Sequence, residues 1–254
     1  MDADTLARRF TKPVLFTLCL LPAAWLAAGI VSLQWGDATS AAARALGANP
    51  VEKVQDTLGI WGLRLLLVTL LVTPLRVIGG WPRLLLFRRM LGLFAFAYIA
   101  LHFAWYLFVD QAFAWSQLLA DIAKRPFITA GFLAFGMLVP LALTSTQAAM
   151  RRLGRRWLKL HRLIYPAAVL GCVHYWWQVK ADVREPLVYA GIAAILLGWR
   201  ALRAWRRRRA SPGTSSPVAG PGAQGGQRDR GEDQQAPRAR AAVQRLADQP
   251  PAEQ

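Results

Sequence analysis

The chain has 254 residues, 55% of them hydrophobic, with 31 Lys and Arg against 14 Asp and Glu and a formal net charge of +17. The apolar residues fall in blocks near 20 residues long, not in short periodic stripes, which excludes a soluble core as the main architecture and makes lipid the solvent for most of the chain. Nucleic acid is not the partner this charge implies, because the polar tail from Ala210 holds five Arg and five acidic residues and the whole excess sits in short clusters beside the apolar blocks.

Six blocks predict an all-α membrane protein, a bundle of six transmembrane helices. The first, residues 13–35, carries no charge and follows Arg8, Arg9 and Lys12; no small-residue cleavage site ends it, so it reads as a retained helix. The second, 57–75, is interrupted by Arg64, and the third, 90–109, contains His102. The fourth, 126–150, is uncharged; the fifth, 163–179, contains His174, with His161 just before it. The sixth, 186–199, extends to about 205 if Arg200 and Arg203 snorkel. Cys19 and Cys172 lie inside these blocks without any CxxC or CxxCH spacing, which fits two packing residues.

Basic clusters alternate along the chain. Arg76, Arg83, Arg88 and Arg89 separate spans two and three, six Arg and Lys residues from Arg151 to Arg162 separate four and five, and Arg206 to Arg209 follow six. The intervening loops are sparse, so the positive-inside rule places both termini in the cytoplasm. From residue 210 the composition turns to Ser, Pro, Gly, Gln, Arg and Asp, which cannot bury a core. The expected organisation is a transmembrane domain over residues 1–209 and a disordered cytoplasmic tail over 210–254, with at most a short helix at 241–246.

Ionisable residues inside a membrane carry a functional expectation because they are costly to place there. His102 lies 14 residues past Arg88, and His174 13 past His161, so both sit roughly 20 Å in from the cytoplasmic side at the helical rise of about 1.5 Å. Two neutral imidazoles at equal depth on neighbouring helices can ligate a haem iron from both sides, or form a structural hydrogen bond between helices. His161 lies near the inner surface. On a straight helix it would point about 140° away from His174, unless Pro166 re-phases the helix. Arg64 is a candidate partner for a haem propionate, or a snorkelling side chain. The aromatic groups LHFAWY and VHYWW read as an interfacial belt or as packing for a macrocycle. A metal or cation transporter using the intramembrane histidines is the competing function, weakened by the lack of acidic residues within the spans.

The runs DTLGIWGLRLLLVTLLVTPLR, RRMLGLFAFAYIALHFAWY and WLKLHRLIYPAAVLGCVHYWW resemble the MsrQ (YedZ) family of the ferric-reductase-like transmembrane group. The resemblance covers residues 11–205 and rests on TPLR closing span two, RRxLGL entering span three, and LHRLxY followed by VHYxW. It implies a haem b subunit, also described as binding FMN, in the cell inner membrane. Such a subunit is not itself the catalytic enzyme. It takes electrons from the quinone pool and hands them to a periplasmic MsrP-like molybdopterin enzyme that reduces methionine sulfoxide in oxidised proteins. On this resemblance His102, His161 and His174 are the haem-linked residues. Wider relatives carry two histidines on each of two helices; here the position 14 before His102 is Arg88. No GxGxxG occurs, so no nucleotide domain supplies the electrons and a membrane quinol is the natural donor.

Overall fold

The computed structural model describes residues 11–37, 39–111, 114–179 and 182–209. The expected disordered tail from 210, its short helix at 241–246 and the leading Arg8 and Arg9 lie outside the described residues. The rest is a multi-pass helical membrane protein. Its order is α1 (Lys12–Gln34), α2 (Ala41–Leu46), α3 (Pro50–Ile78), α4 (Leu85–Trp105), α5 (Trp115–Lys124), α6 (Pro126–Leu143), α7 (Gln147–Leu153), α8 (Arg155–Leu160), α9 (Ile164–Gln178) and α10 (Arg184–Arg209). A 3-10 turn, Pro82–Leu84, leads into α4, and a π-turn, Tyr106–Asp110, closes it.

α3 is the central helix. Of its most apolar stretch 56% is buried, against 11% to 22% for the other four helices long and apolar enough to span. Leu70 and Ala168, both fully buried, mark the centre of the packed core. Phe16, Leu18, Trp25, Leu133 and Ile195 point outward, as side chains facing lipid do.

Five helices meet the length and apolarity of a span among the described residues. The predicted fifth span is the 15-residue α9, about 22 Å long at 1.5 Å per residue. The 3-10 turn His161–Leu163 ahead of it adds roughly 6 Å at about 2 Å per residue. Two boundaries differ most from the hydropathy. The fourth block ends as a helix at Leu143, because the hydroxyls of Thr144 and Ser145 bond to the carbonyls of Pro140 and Leu141 at 2.6 Å each and the chain turns there. α3 begins seven residues before the predicted start, at Pro50, with the Asn49 side chain accepting from the Glu52 amide. The short helices α2 and α5 lie in loops where no helix was expected.

Two of the prolines inside the spans, Pro74 and Pro22, are served by a side chain from another helix. Pro74 has no N–H, which leaves the Leu70 carbonyl four residues earlier without its helical donor, and Arg200 of α10 donates to that carbonyl. Arg200 therefore turns inward to α3 instead of snorkelling, and its guanidinium lies 5.7 Å from the Tyr165 ring. Beside Pro22 of α1, the Tyr98 hydroxyl of α4 accepts from Ala23 N at 3.0 Å and donates to Cys19 O at 2.8 Å. It stands between a donor and an acceptor that would otherwise pair within the helix.

Candidate functional site

α3 and α4 form one antiparallel hairpin, and α6 and α9 form another. His102 lies near the end of α4 and His174 near the end of α9. Each is packed against the opening turns of its hairpin partner. His102 Nδ1 is 2.8 Å from the carbonyl oxygen of Gln55 on α3. His174 Nδ1 is 2.7 Å from the carbonyl oxygen of Phe127 on α6. A carbonyl only accepts, so both imidazoles carry their proton on Nδ1 and keep the Nε2 lone pair for another partner. The two ring centroids are 6.1 Å apart, with the planes crossed at 81°.

The pair lines a cavity of about 1590 Å³. Ordinary small-molecule pockets run to roughly 300–1,000 Å³, so this one is large enough for a macrocycle. Phe103, which stacks on Phe135 with centroids 4.8 Å apart, and Tyr175 also line it. The aromatic groups flanking the histidines thus divide: Phe103 and Tyr175 face the cavity, whereas Trp177 is exposed on the outside, as a belt residue would be. The mouth is ringed by Glu52, Asp56, Asp110, Asp182 and Glu185, with Lys53 and Arg125 as counter-charges.

The donor set fits haem iron. Two metal–imidazole bonds of about 2 Å, with about 1 Å from nitrogen to ring centroid at each end, separate the centroids by about 6 Å. The observed 6.1 Å matches that span, and the Nδ1–H bonds to carbonyls are the usual second partners of ligating histidines. One group crowds the position. The Gln55 side-chain Nε2 lies 3.4 Å from His102 Nε2, and its Oε1 is the buried side-chain polar atom without a partner among the described residues. That carboxamide must rotate for His102 to bind a metal, and it gives up only a long contact in doing so.

Arg64 also lines the cavity. Its Nε donates to the Tyr189 hydroxyl at 2.8 Å, and its guanidinium lies 5.2 Å from the Trp61 ring. These two partners, one span away and one turn back, hold it in the protein.

His161 is not brought to the other two histidines. It sits in the 3-10 turn before α9, 3.8 Å from the Trp157 ring in a stacked arrangement, with its Nδ1 3.2 Å from the Trp157 carbonyl. Burial and the nearby Arg88 hold its pKa below the usual histidine range. The 3-10 turn His161–Leu163 sets His161 off from the regular helix that carries His174. Pro166 instead occupies the first turn of α9, where its missing N–H leaves no helical bond unmade. Reading side chains alone missed Gln55, Phe127 and Tyr189, because backbone acceptors have no residue signature and Tyr189 lies 125 positions from Arg64.

The family description ferric reductase like transmembrane component matches residues 58–172. A protein-methionine-sulfoxide reductase heme-binding subunit MsrQ of Xanthomonas campestris pv. campestris (strain 8004) is 53% identical over 173 residues, 68% of this chain and 79% of the relative. The protein of the same name from Xanthomonas oryzae pv. oryzae (strain MAFF 311018) is 45% identical over 212 residues, 84% of this chain and 97% of the relative. That from Rhodospirillum rubrum is 50% identical over 202 residues, 79% of this chain and 92% of the relative. No solved structure matches. With identity of this level running through both hairpins and nearly the full length of these relatives, the chain belongs to the MsrQ family.

Proposed function

We propose that this protein is the haem b electron-transfer subunit of a methionine sulfoxide reductase system, with His102 and His174 as the residues that would hold the haem iron. The observation that carries this reading is the paired imidazoles, each held through Nδ1 by a carbonyl of a separate helix and 6.1 Å apart in a large cavity. A haem bound there would supply a one-electron couple between donor and acceptor. With His102 and His174 both holding the iron, the site would suit electron transfer better than oxygen binding. The chain's own part is to orient the imidazoles, to surround the macrocycle with Phe103 and Tyr175, and to place the Arg64 cation where a propionate would be neutralised. The catalytic step belongs to a partner subunit.

The finer reading follows from the resemblance and the charge pattern. Counting α9, the chain crosses the inner membrane six times with both termini cytoplasmic, the 1–209 domain in the bilayer and the 210–254 tail beyond it. The arginine-rich turns then face the cytoplasm and the histidine pair lies toward the periplasm. Electrons come from the quinone pool and leave to a periplasmic MsrP-like molybdopterin enzyme that repairs oxidised proteins. FMN as a second cofactor and a haem-linked role for His161 rest on the family resemblance.

A reduced-minus-oxidised spectrum of the purified protein, with haem and flavin quantified per chain, tests this directly. A Soret band lost in His102→Ala and His174→Ala, and kept in a folded surface variant, is the expected result. A colourless wild-type protein reconstituted with haem, or a spectrum indifferent to both histidines, refutes it.

A further inference from the structure

The two halves of the site are built alike down to one residue that carries no side chain. Gln55 and Phe127, His102 and His174, and Gly59 and Gly131 are each separated by 72 residues. In each hairpin the carbonyl that accepts from the imidazole lies 47 residues before the histidine, and the glycine follows that carbonyl by one helical turn. A Cβ on Gly59 would lie 2.9 Å from His102 Nδ1 and 3.0 Å from its Cε1. A Cβ on Gly131 would lie 2.8 Å from His174 Nδ1 and 2.9 Å from its Cε1. Each ring edge thus rests directly on a bare stretch of helix backbone. A side chain there forces the imidazole to swing, and the ring that swings leaves its carbonyl.

We propose that Gly59 and Gly131 are positioning residues of the haem site. Together with the Gln55 and Phe127 carbonyls they form two copies of one cradle that fixes the tautomer of each ligand and crosses the imidazole planes. Space alone does not explain them. Gly136 on α6 and Gly198 on α10 have nothing within 4 Å of an added Cβ; Gly29 and Gly62 also sit close to a neighbour, the Ala42 carbonyl and the Ile99 side chain, but among the described glycines only Gly59 and Gly131 abut a histidine ring. The backbone at both is helical, where glycine is otherwise unfavourable relative to alanine, so something other than helix formation places it there.

This inference rests on the haem reading and is separable from it. The purified protein, with haem incorporated, is compared with Gly59→Ala, Gly131→Ala and the controls Gly136→Ala and Gly198→Ala. Readouts are the low-spin ferric electron paramagnetic resonance spectrum, the midpoint potential and haem retention. The wild type should show the widely spread, high-g signal of crossed imidazole planes. Each cradle variant should move that signal and the potential and retain haem about 10–100-fold more weakly, the usual effect of disturbing a ligand's second partner. Both controls should match wild type. A Soret band with spectra unchanged in both cradle variants overturns the proposal while leaving the haem reading intact; no Soret band in wild type overturns the haem reading itself. If neither cradle variant accumulates, the wild-type protein decides. Crossed planes, and ¹⁵N shifts of the haem-free protein showing Nδ1–H at both histidines, support the cradle. Near-parallel planes, or an Nε2–H tautomer at either histidine, overturn it.

Discussion

Tyr98 sits one turn before His102 on the same helix and ties that helix to α1, so Tyr98→Phe tests the packing that holds the ligand helix without touching the ligand. The ring is 2% exposed and remains in place in the variant, so no cavity opens. What is lost is the hydroxyl that accepts from Ala23 N at 3.0 Å and donates to Cys19 O at 2.8 Å. Hydrogen bonds contribute about 0.5–1.5 kcal/mol each in water-soluble proteins and average about 0.6 kcal/mol between membrane helices. Two of them give an expected loss of about 1–2 kcal/mol, or a fall in Tm of roughly 3–6 °C for a chain of this size. The loss is bounded above because Ala23 N and Cys19 O are four residues apart and can pair with each other once α1 straightens. The assay is reversible unfolding in mixed micelles of wild type, Tyr98→Phe, Pro22→Ala and the double variant. Pro22→Ala frees α1 to straighten, so Tyr98→Phe should cost less in that background, and the difference is the coupling energy. Unchanged stability in Tyr98→Phe, or equal cost in both backgrounds, refutes the account of the hydroxyl as a ladder insert. The Soret band should be unaffected throughout.

Arg64→Gln removes a unit cation from the cavity wall; at about 10 Å and an effective dielectric near 20 that is worth roughly 1–2 kcal/mol, so the haem midpoint potential should fall by several tens of millivolts in a redox titration, with Arg64→Lys falling less. Arg200→Leu leaves the Leu70 carbonyl at Pro74 without its donor and should destabilise the protein by about 1–3 kcal/mol in micellar unfolding, with little effect on the haem spectrum. His161 has its folded pKa held below the unfolded value of about 6.5, so the unfolded chain binds the extra proton first. Stability should therefore decline as pH falls through and below about 6.5, and His161→Gln should flatten that decline in thermal melts taken at several pH values. The carboxylates around the mouth outnumber Lys53 and Arg125, so the reduced protein should be oxidised faster by a cationic mediator such as hexaammineruthenium(III), with the rate falling as salt rises, than by ferricyanide, whose rate should rise with salt; stopped-flow reoxidation reads both slopes.

Hydropathy reveals where the helices are because lipid imposes one requirement along a whole span, and each of α1, α3, α4, α6 and α10 lies on a predicted block. It is blind to where a helix is interrupted. The end of α6 at Leu143 depends on two hydroxyls taking up carbonyls, and the 3-10 turn at His161–Leu163 depends on local geometry that apolar content does not encode. Helical rise converts residue number into distance, so the chain leads to an expectation of His102 and His174 at one level, and in the structure their ring centroids lie 6.1 Å apart. Their cradles could not be read the same way. The acceptors are backbone carbonyls, and the glycines matter through an atom they lack. The trace left in the sequence is the common 72-residue separation, visible only once the two histidines are set one over the other.

That same separation shows where the two hairpins cease to be copies. Moving 72 residues from Arg64 reaches Gly136, and moving back 72 from His161 reaches Arg89. The matched positions, carbonyl, glycine and histidine, are those a symmetric ligand pair requires. The unmatched ones lie deeper along the helices and carry the charge. Arg64 on one hairpin is matched by Gly136 on the other, and the ends of the hairpins away from the histidine pair present arginine on one and a stacked imidazole on the other. A pair of equivalent ligands has no preferred direction for an electron. Direction has to come from what surrounds them, and in this chain the fixed charge that breaks the symmetry is concentrated on the arginine-rich side, with the carboxylates gathered at the opposite mouth.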